Sequence, residues 1–161
     1  MKAEKQKYLL NKYPKFFDYI SKDNDIKHFS EESAKKDLKD LINQESIVLP
    51  IQFGFEIGDG WFWLLKNVFQ SIYEYCKAND VEIPHMTDIK EKYGSLSINY
   101  MGGDRLIDGI VWFAEDLSSK ICEECGTNKN VGRTKEWIYT VCKTCYENKN
   151  DNHLTWFINE K

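Results

Sequence analysis

Four cysteines constrain this chain more than anything else in it. They stand as Cys122-Glu-Glu-Cys125 and Cys142-Lys-Thr-Cys145, with sixteen residues between the pairs. Each CxxC turn aims two thiolates at one point, and two such turns complete a tetrahedron around Zn²⁺. Gly126, directly after Cys125, suits a tight knuckle in which a backbone N–H approaches sulfur. Residues 136–141 read as a strand that delivers Cys142, with Trp137 and Tyr139 on one face. A closed site of four cysteines leaves no open coordination position, so the expected zinc is structural rather than catalytic. Its removal is expected to unfold residues 122–147 first, because that segment is too small to fold alone.

Two other readings of the cysteines fit less well. A disulfide framework needs an oxidising compartment. The stretch from Met1 to Leu10 has lysines but no apolar run and no small-residue cleavage site, so no secretion signal is expected. A thioredoxin-like redox motif uses one CxxC at a strand–helix junction, not a matched pair. The fifth cysteine, Cys76, falls on the apolar stripe of a helix and reads as a buried, inert thiol.

The remainder of the 161 residues is read by periodicity. Residues 3–20 suggest a helix that Pro14 must break or restart. A polar loop at 21–29 leads to a helix capped by Ser30, with Ala34, Leu38, Leu41 and Ile42 on one face. Ile51, Phe53, Phe55 and Ile57 alternate with Gln52, Gly54 and Glu56, the period-2 pattern of a strand within 47–57. Asp59 or Gly60 then caps a strong helix over 61–78, whose stripe is Trp61, Leu64, Leu65, Val68, Phe69, Ile72 and Cys76. Residues 83–101 read as a strand pair that turns at Tyr93-Gly94-Ser95, with Gly102-Gly103 at its end. A second strong helix over 104–121 places Leu106, Ile107, Ile110, Phe113, Ala114, Leu117 and Ile121 together. The expected fold is α+β: N-terminal helices and two core helices on a small antiparallel sheet, followed by a C-terminal tetrathiolate zinc ribbon. Its expected divisions are a helical segment at 1–45, an α+β core at 46–121, the ribbon at 122–147 and a tail at 148–161.

Composition narrows the function classes. Apolar residues make up 42% and aromatics number 23, nine Phe, five Trp and nine Tyr, which argues for a packed core. No apolar run is long enough for a transmembrane helix, so a cytoplasmic protein without a membrane partner is expected. The net charge of −4 is concentrated in residues 46–120, with eleven acids against six basic residues. A basic stripe of the kind that binds nucleic acid is lacking over the chain as a whole. One local cluster offers an alternative: Lys129, Arg133, Lys135 and Lys143 surround Trp137 and Tyr139 in the ribbon, a stacking-plus-phosphate surface.

Catalytic signatures are sparse. His28, His85 and His153 belong to no metalloprotease or nucleophile motif, and Gly58-Asp59-Gly60 has too few glycines for a phosphate loop. Asp59 with Asp104, or Asp88 with Glu91, would be the carboxylate pairs to consider, but among 26 acids they read as solvated surface groups. A non-enzyme is expected.

Helical geometry singles out two tryptophans. At about 100° per residue, Trp63 points away from the stripe of its helix and Trp112 away from the stripe of its own. An exposed Trp often marks an interaction site. The alternative is that the N-terminal helices or the tail Leu154-Thr155-Trp156-Phe157-Ile158 cover both rings.

Gly58-Asp-Gly-Trp61 opening a helix, Lys90-Glu-Lys-Tyr-Gly-Ser-Leu96, Gly102-Gly103, and a helix running into Cys122-x-x-Cys125-Gly126 resemble, in this order, a family of small uncharacterised phage and prophage proteins. The similarity spans roughly residues 10–147. It departs at Ser95 and Ser97, which replace a Gly and an Arg of the family strand, and at Trp63, where a polar residue is common. The family has no assigned enzymatic activity. The resemblance implies a protein that binds host bacterial machinery, a protein or ribonucleoprotein, most concretely as an anti-CRISPR-type inhibitor of host defence.

Overall fold

The structure is a computed structural model, and it describes residues 1–17, 54–149 and 155–158. The loop at 21–29, the helix capped by Ser30 and residues 47–53 of the expected strand lie outside these. The described chain is α+β, with four α-helices and two small antiparallel sheets.

Helix α1 runs Ala3–Lys12 and stops where Pro14 opens a 3-10 turn, Pro14–Phe16. Proline has no N–H for the preceding turn and restricts Tyr13 to a non-helical backbone. A second 3-10 turn, Asp59–Trp61, leads directly into α2, Phe62–Asn79. Neither Asp59 nor Gly60 caps α2 with a side chain. The Asp59 carboxylate instead accepts the Lys2 backbone N–H at 2.7 Å and lies near the Lys2 and Lys5 ammonium groups, which fastens the N-terminus to this turn.

Strands β1, His85–Lys92, and β2, Ser95–Met101, form an antiparallel hairpin. Tyr93 and Gly94 both have positive φ, the pair of left-handed residues that a tight two-residue hairpin requires. Before them in sequence, Phe55 and Ile57 are buried and Glu56 is exposed, as the period-2 pattern predicts. Among the described residues of this stretch, Glu56 alone makes a bridge, parallel to Lys90, with hydrogen bonds of 3.0 and 2.9 Å to the 89–91 backbone.

Helix α3, Arg105–Ser118, starts at Asp104, whose Oδ1 accepts the Leu106 and Ile107 N–H groups. Its buried face is Ile107, Val111, Ala114 and Ser118. This corrects the stripe expected from periodicity. Leu106 and Phe113 are exposed, at 52% and 62%, and Ile110 and Leu117 are only half-buried. Ile107 and Ala114 of the expected stripe are buried, but the buried face is turned from its centre toward Val111 and Ser118, a shift that hydropathy hid because Ser118 looks polar. Ser118 is buried because its Oγ accepts the Leu96 N–H at 2.8 Å, while Glu115 Oε1 accepts the Ile98 N–H at 2.8 Å. These side chains occupy the free edge of β2 and end the sheet at two strands. Ser118→Ala should therefore lower stability by about 1–3 kcal/mol although it makes the helix more apolar, because it orphans a buried N–H. Urea denaturation reads this directly, and an unchanged midpoint would refute it.

The main core gathers Leu9, Phe16, Phe55, Trp61, Leu65, Phe69, Ile72, Ile89, Leu96 and Ile107. Cys76 is buried in it, 2% exposed, and burial pushes its thiol pKa up, as an inert cysteine requires. The C-terminal ribbon has strands β3, Val131–Thr134, β4, Thr140–Cys142, and β5, Trp156–Ile158, in the order β4-β3-β5. The short helix α4, Lys143–Lys149, follows β4. The strand expected at 136–141 is thus confined to its end, and residues 135–139 form the connection from β3. Trp156 stacks on Tyr146, and its indole donates to Val141 O at 3.0 Å. Trp156 of the tail therefore covers the ribbon, while Phe157 is exposed.

Candidate metal centre

The first cysteine pair sits just beyond α3. Gly126 takes a left-handed φ of 80° and donates to Cys122 O at 2.8 Å, and Cys122 donates to Thr127 O at 2.8 Å, which closes the first knuckle. The second pair spans the junction of β4 and α4, where the Cys145 N–H points at Cys142 Sγ, 3.4 Å away. A backbone bond from Glu123 N to Thr140 O, 2.9 Å, holds the two turns together.

All four sulfurs lie within 4.8 Å of one another. Four thiolates held at about 2.3 Å from one ion stand about 3.8 Å apart, and Cys125 and Cys142 show a separation of 3.8 Å. The four residues therefore fit a metal ion. Their thiols are not equivalent. Burial raises Cys125 and Cys145, and nearby sulfurs add to this at both. Burial also opposes ionisation of Cys122, but the N–H groups of Cys142, Cys125 and Glu124 outweigh it and hold that thiol below its ordinary value. A metal must displace the remaining thiol protons, so the occupied site is stable at neutral pH and weakens as pH falls.

Two motifs in the core clamp this centre. The Gly58 N–H donates to Glu123 Oε1 at 2.8 Å, and the Gly60 N–H donates to Glu123 O at 2.7 Å. The Trp61 indole donates to Ile121 O at 2.9 Å. A Cβ on Gly58 would strike Glu123, and one on Gly60 would strike the backbone of Cys122, Glu123 and Gly126. The GDGW sequence is thus a docking turn for the first knuckle as well as a helix start. On the opposite flank, Thr140 Oγ1 donates to Gly94 O, and Arg133 Nη2 donates to Ser95 Oγ at 3.1 Å. Glu123 is 8% exposed, and burial raises its carboxyl pKa against the opposing Gly58 N–H. Periodicity gave Glu123 no role. The close glycine spacing at 58 and 60 was the available signal.

The other expected site residues separate into distinct places. Trp63 and Trp112 are 64% and 72% exposed. Lys66 Nζ lies 4.3 Å from the Trp63 ring centre. Beside Trp63 is a cleft of about 350 Å³ lined by Leu64, Asn67, Leu117, Ile121 and Cys125. In the ribbon, Lys129 and Lys143 stand at one end of the β3–β4 pair, and Lys135 and the exposed Trp137 at the other. A strand of four residues, about 13 Å, separates the two groups. Arg133 between them is half-buried against Ser95, and Lys143 lies 4.0 Å from Glu147. Tyr139 is half-buried and covered by Lys149 at 4.8 Å. Each carboxylate considered for acid–base work holds structure: Asp59 binds Lys2, Asp104 caps α3, Asp88 pairs with Lys90 at 2.6 Å, and Glu91 accepts the Gly94 N–H.

No family model, curated protein or solved structure matches this chain. Among the described residues no helix is long and apolar enough to cross a membrane.

Proposed function

We propose that this protein is a structural-zinc binding protein that acts by docking on another protein, without catalysis of its own. One observation carries the reading: Trp63 and Trp112 project into solvent from helices whose opposite faces are locked into the core. Rigid, exposed indoles are the side chains that supply most binding energy when a partner covers them. Zinc is the ion of choice for four clustered thiolates, and it would fix the ribbon rather than react. The target we favour is host bacterial machinery in the cytoplasm, with inhibition of a CRISPR-type defence ribonucleoprotein as the concrete case. The resemblance of the GDGW and KEKYGSL stretches to small phage proteins supports that choice.

Metal analysis of protein purified without added zinc should find one zinc per chain. Capture from bacterial lysate, with and without nuclease, should return the same partner. Trp63→Ala and Trp112→Ala should each weaken that capture, by about 2 kcal/mol for a central contact, and leave the melting temperature unchanged. Loss of the partner on nuclease treatment would point instead to the ribbon lysines with Trp137 and to nucleic acid. A large fall in stability with binding intact would sink the docking role of the tryptophans.

A further inference from the structure

Of the residues on the outer face of α3, Ile110 packs against the core, while Leu106 and Phe113 stand in solvent. Leu106, Ile110, Phe113 and Leu117 follow one another at intervals of four, three and four residues, the spacing of a helix-pairing seam. Leu106 and Phe113 are more than half exposed, and Ile110 and Leu117 half-buried. One turn before Phe113 stands Gly109. A glycine inside a helix weakens it relative to alanine, and here the fold makes no use of the missing side chain, since a Cβ would meet nothing within 4 Å. Leu106, Trp112 and Phe113, three and four residues away, surround this gap on the helix surface.

We propose that α3 pairs antiparallel with α3 of a second copy of this chain, about a twofold axis midway between Gly109 and Phe113. A twofold interface must be complementary to itself. The twofold rotation exchanges the two positions, so each Phe113 ring enters the gap over Gly109 of the second copy. The charges obey the same symmetry. Exposed Arg105 and Asp116 lie about 20° apart around the helix and about 16 Å apart along it. The axis brings each Arg105 level with the Asp116–Leu117 turn of the second copy, where Asp116 also holds its own Lys120 at 2.8 Å. A parallel pairing in register would oppose Arg105 to Arg105 and Phe113 to Phe113, which disfavours it. The antiparallel pair leaves Trp112 at the rim and does not depend on the docking role of Trp63.

Sedimentation equilibrium of the full chain, from low micromolar to near-millimolar concentration, tests the pairing. The expected result is a monomer–dimer equilibrium. Phe113→Asp should raise its dissociation constant about thirtyfold or more without lowering the melting temperature, because the ring is exposed in the monomer. Gly109→Leu, which fills the gap, should do the same. Arg105→Asp and Asp116→Arg should each weaken the dimer, and the two together should restore it. A monomer at every concentration overturns the proposal. So does a dimer indifferent to Phe113→Asp and Gly109→Leu, or a double charge reversal that fails to restore pairing. A monomer that binds a foreign protein through Phe113 overturns it as well.

Discussion

A strong chelator is expected to remove hydrogen-exchange protection from two separate stretches at once, residues 122–147 and residues 58–61. The ribbon has only short strands and a small apolar cluster around Val141, too little to hold itself without metal. Zinc contributes about 10–16 kcal/mol in finger peptides, comparable with the whole stability of a typical domain. The effect spreads because Glu123 is the anchor for Gly58 and Gly60, and Ile121 for the Trp61 indole. When the knuckle opens, those donors lose their acceptors. The N-terminus follows, since Lys2 and Lys5 are held by Asp59 in the same turn. Protection in the middle of α2 and α3 should persist longest, because Phe69, Ile72 and Ile107 are buried in a cluster that contains none of the four metal-site cysteines. Mass-spectrometric exchange resolves these segments. If residues 58–61 keep full protection while the ribbon opens, the clamp is not coupled to the metal. If both keep it, the metal is not structural.

Two of the stretches that suggested a phage family are the places where the core grips the ribbon. Gly58 to Trp61 holds the first knuckle, and the Tyr93-Gly94 turn with Ser95 holds Thr140 and Arg133. A sequence reading could find the cysteines, because ligand spacing is local. It could find α2 and the hairpin, because their apolar periods and turn residues are local too. It could not see that Glu123 turns inward, because a glutamate between two cysteines reads as surface until Gly58 is known to face it. The same limit misplaced Phe113 and Leu106. Amphipathicity ranks faces by hydropathy, whereas α3 chose the face whose serine and glutamate could satisfy the edge of β2. A buried polar contact across 22 residues of chain leaves no periodic signal. Strand β3 escaped for a related reason, since its four residues include Gly132 and Arg133, and only pairing with β4 and β5 makes it a strand.

Two glycine-to-alanine substitutions should act in opposite directions, and the contrast isolates the clamp. Neither Gly60 nor Gly109 has the positive φ that would strain an alanine, so space alone decides. At Gly60 the new methyl would press on Cys122 O, Gly126 N and Glu123 O. All three are backbone atoms of the knuckle, with no side chain able to swing aside. Overpacking of this kind costs about 3 kcal/mol at the upper end of the usual range. Part of that loss must appear as weaker metal binding, because relief requires the knuckle to move away. At Gly109 the methyl enters open space on a helix, where alanine is favoured over glycine by about 1 kcal/mol. Urea denaturation of the zinc-loaded protein, at a concentration where the chain is monomeric, should show Gly60→Ala falling and Gly109→Ala rising. Competition with a chromogenic chelator should show weakened zinc retention for Gly60→Ala alone. A Gly60→Ala protein that keeps both its stability and its metal would mean that the turn and the knuckle do not touch as described. The motif would then be only the start of a helix.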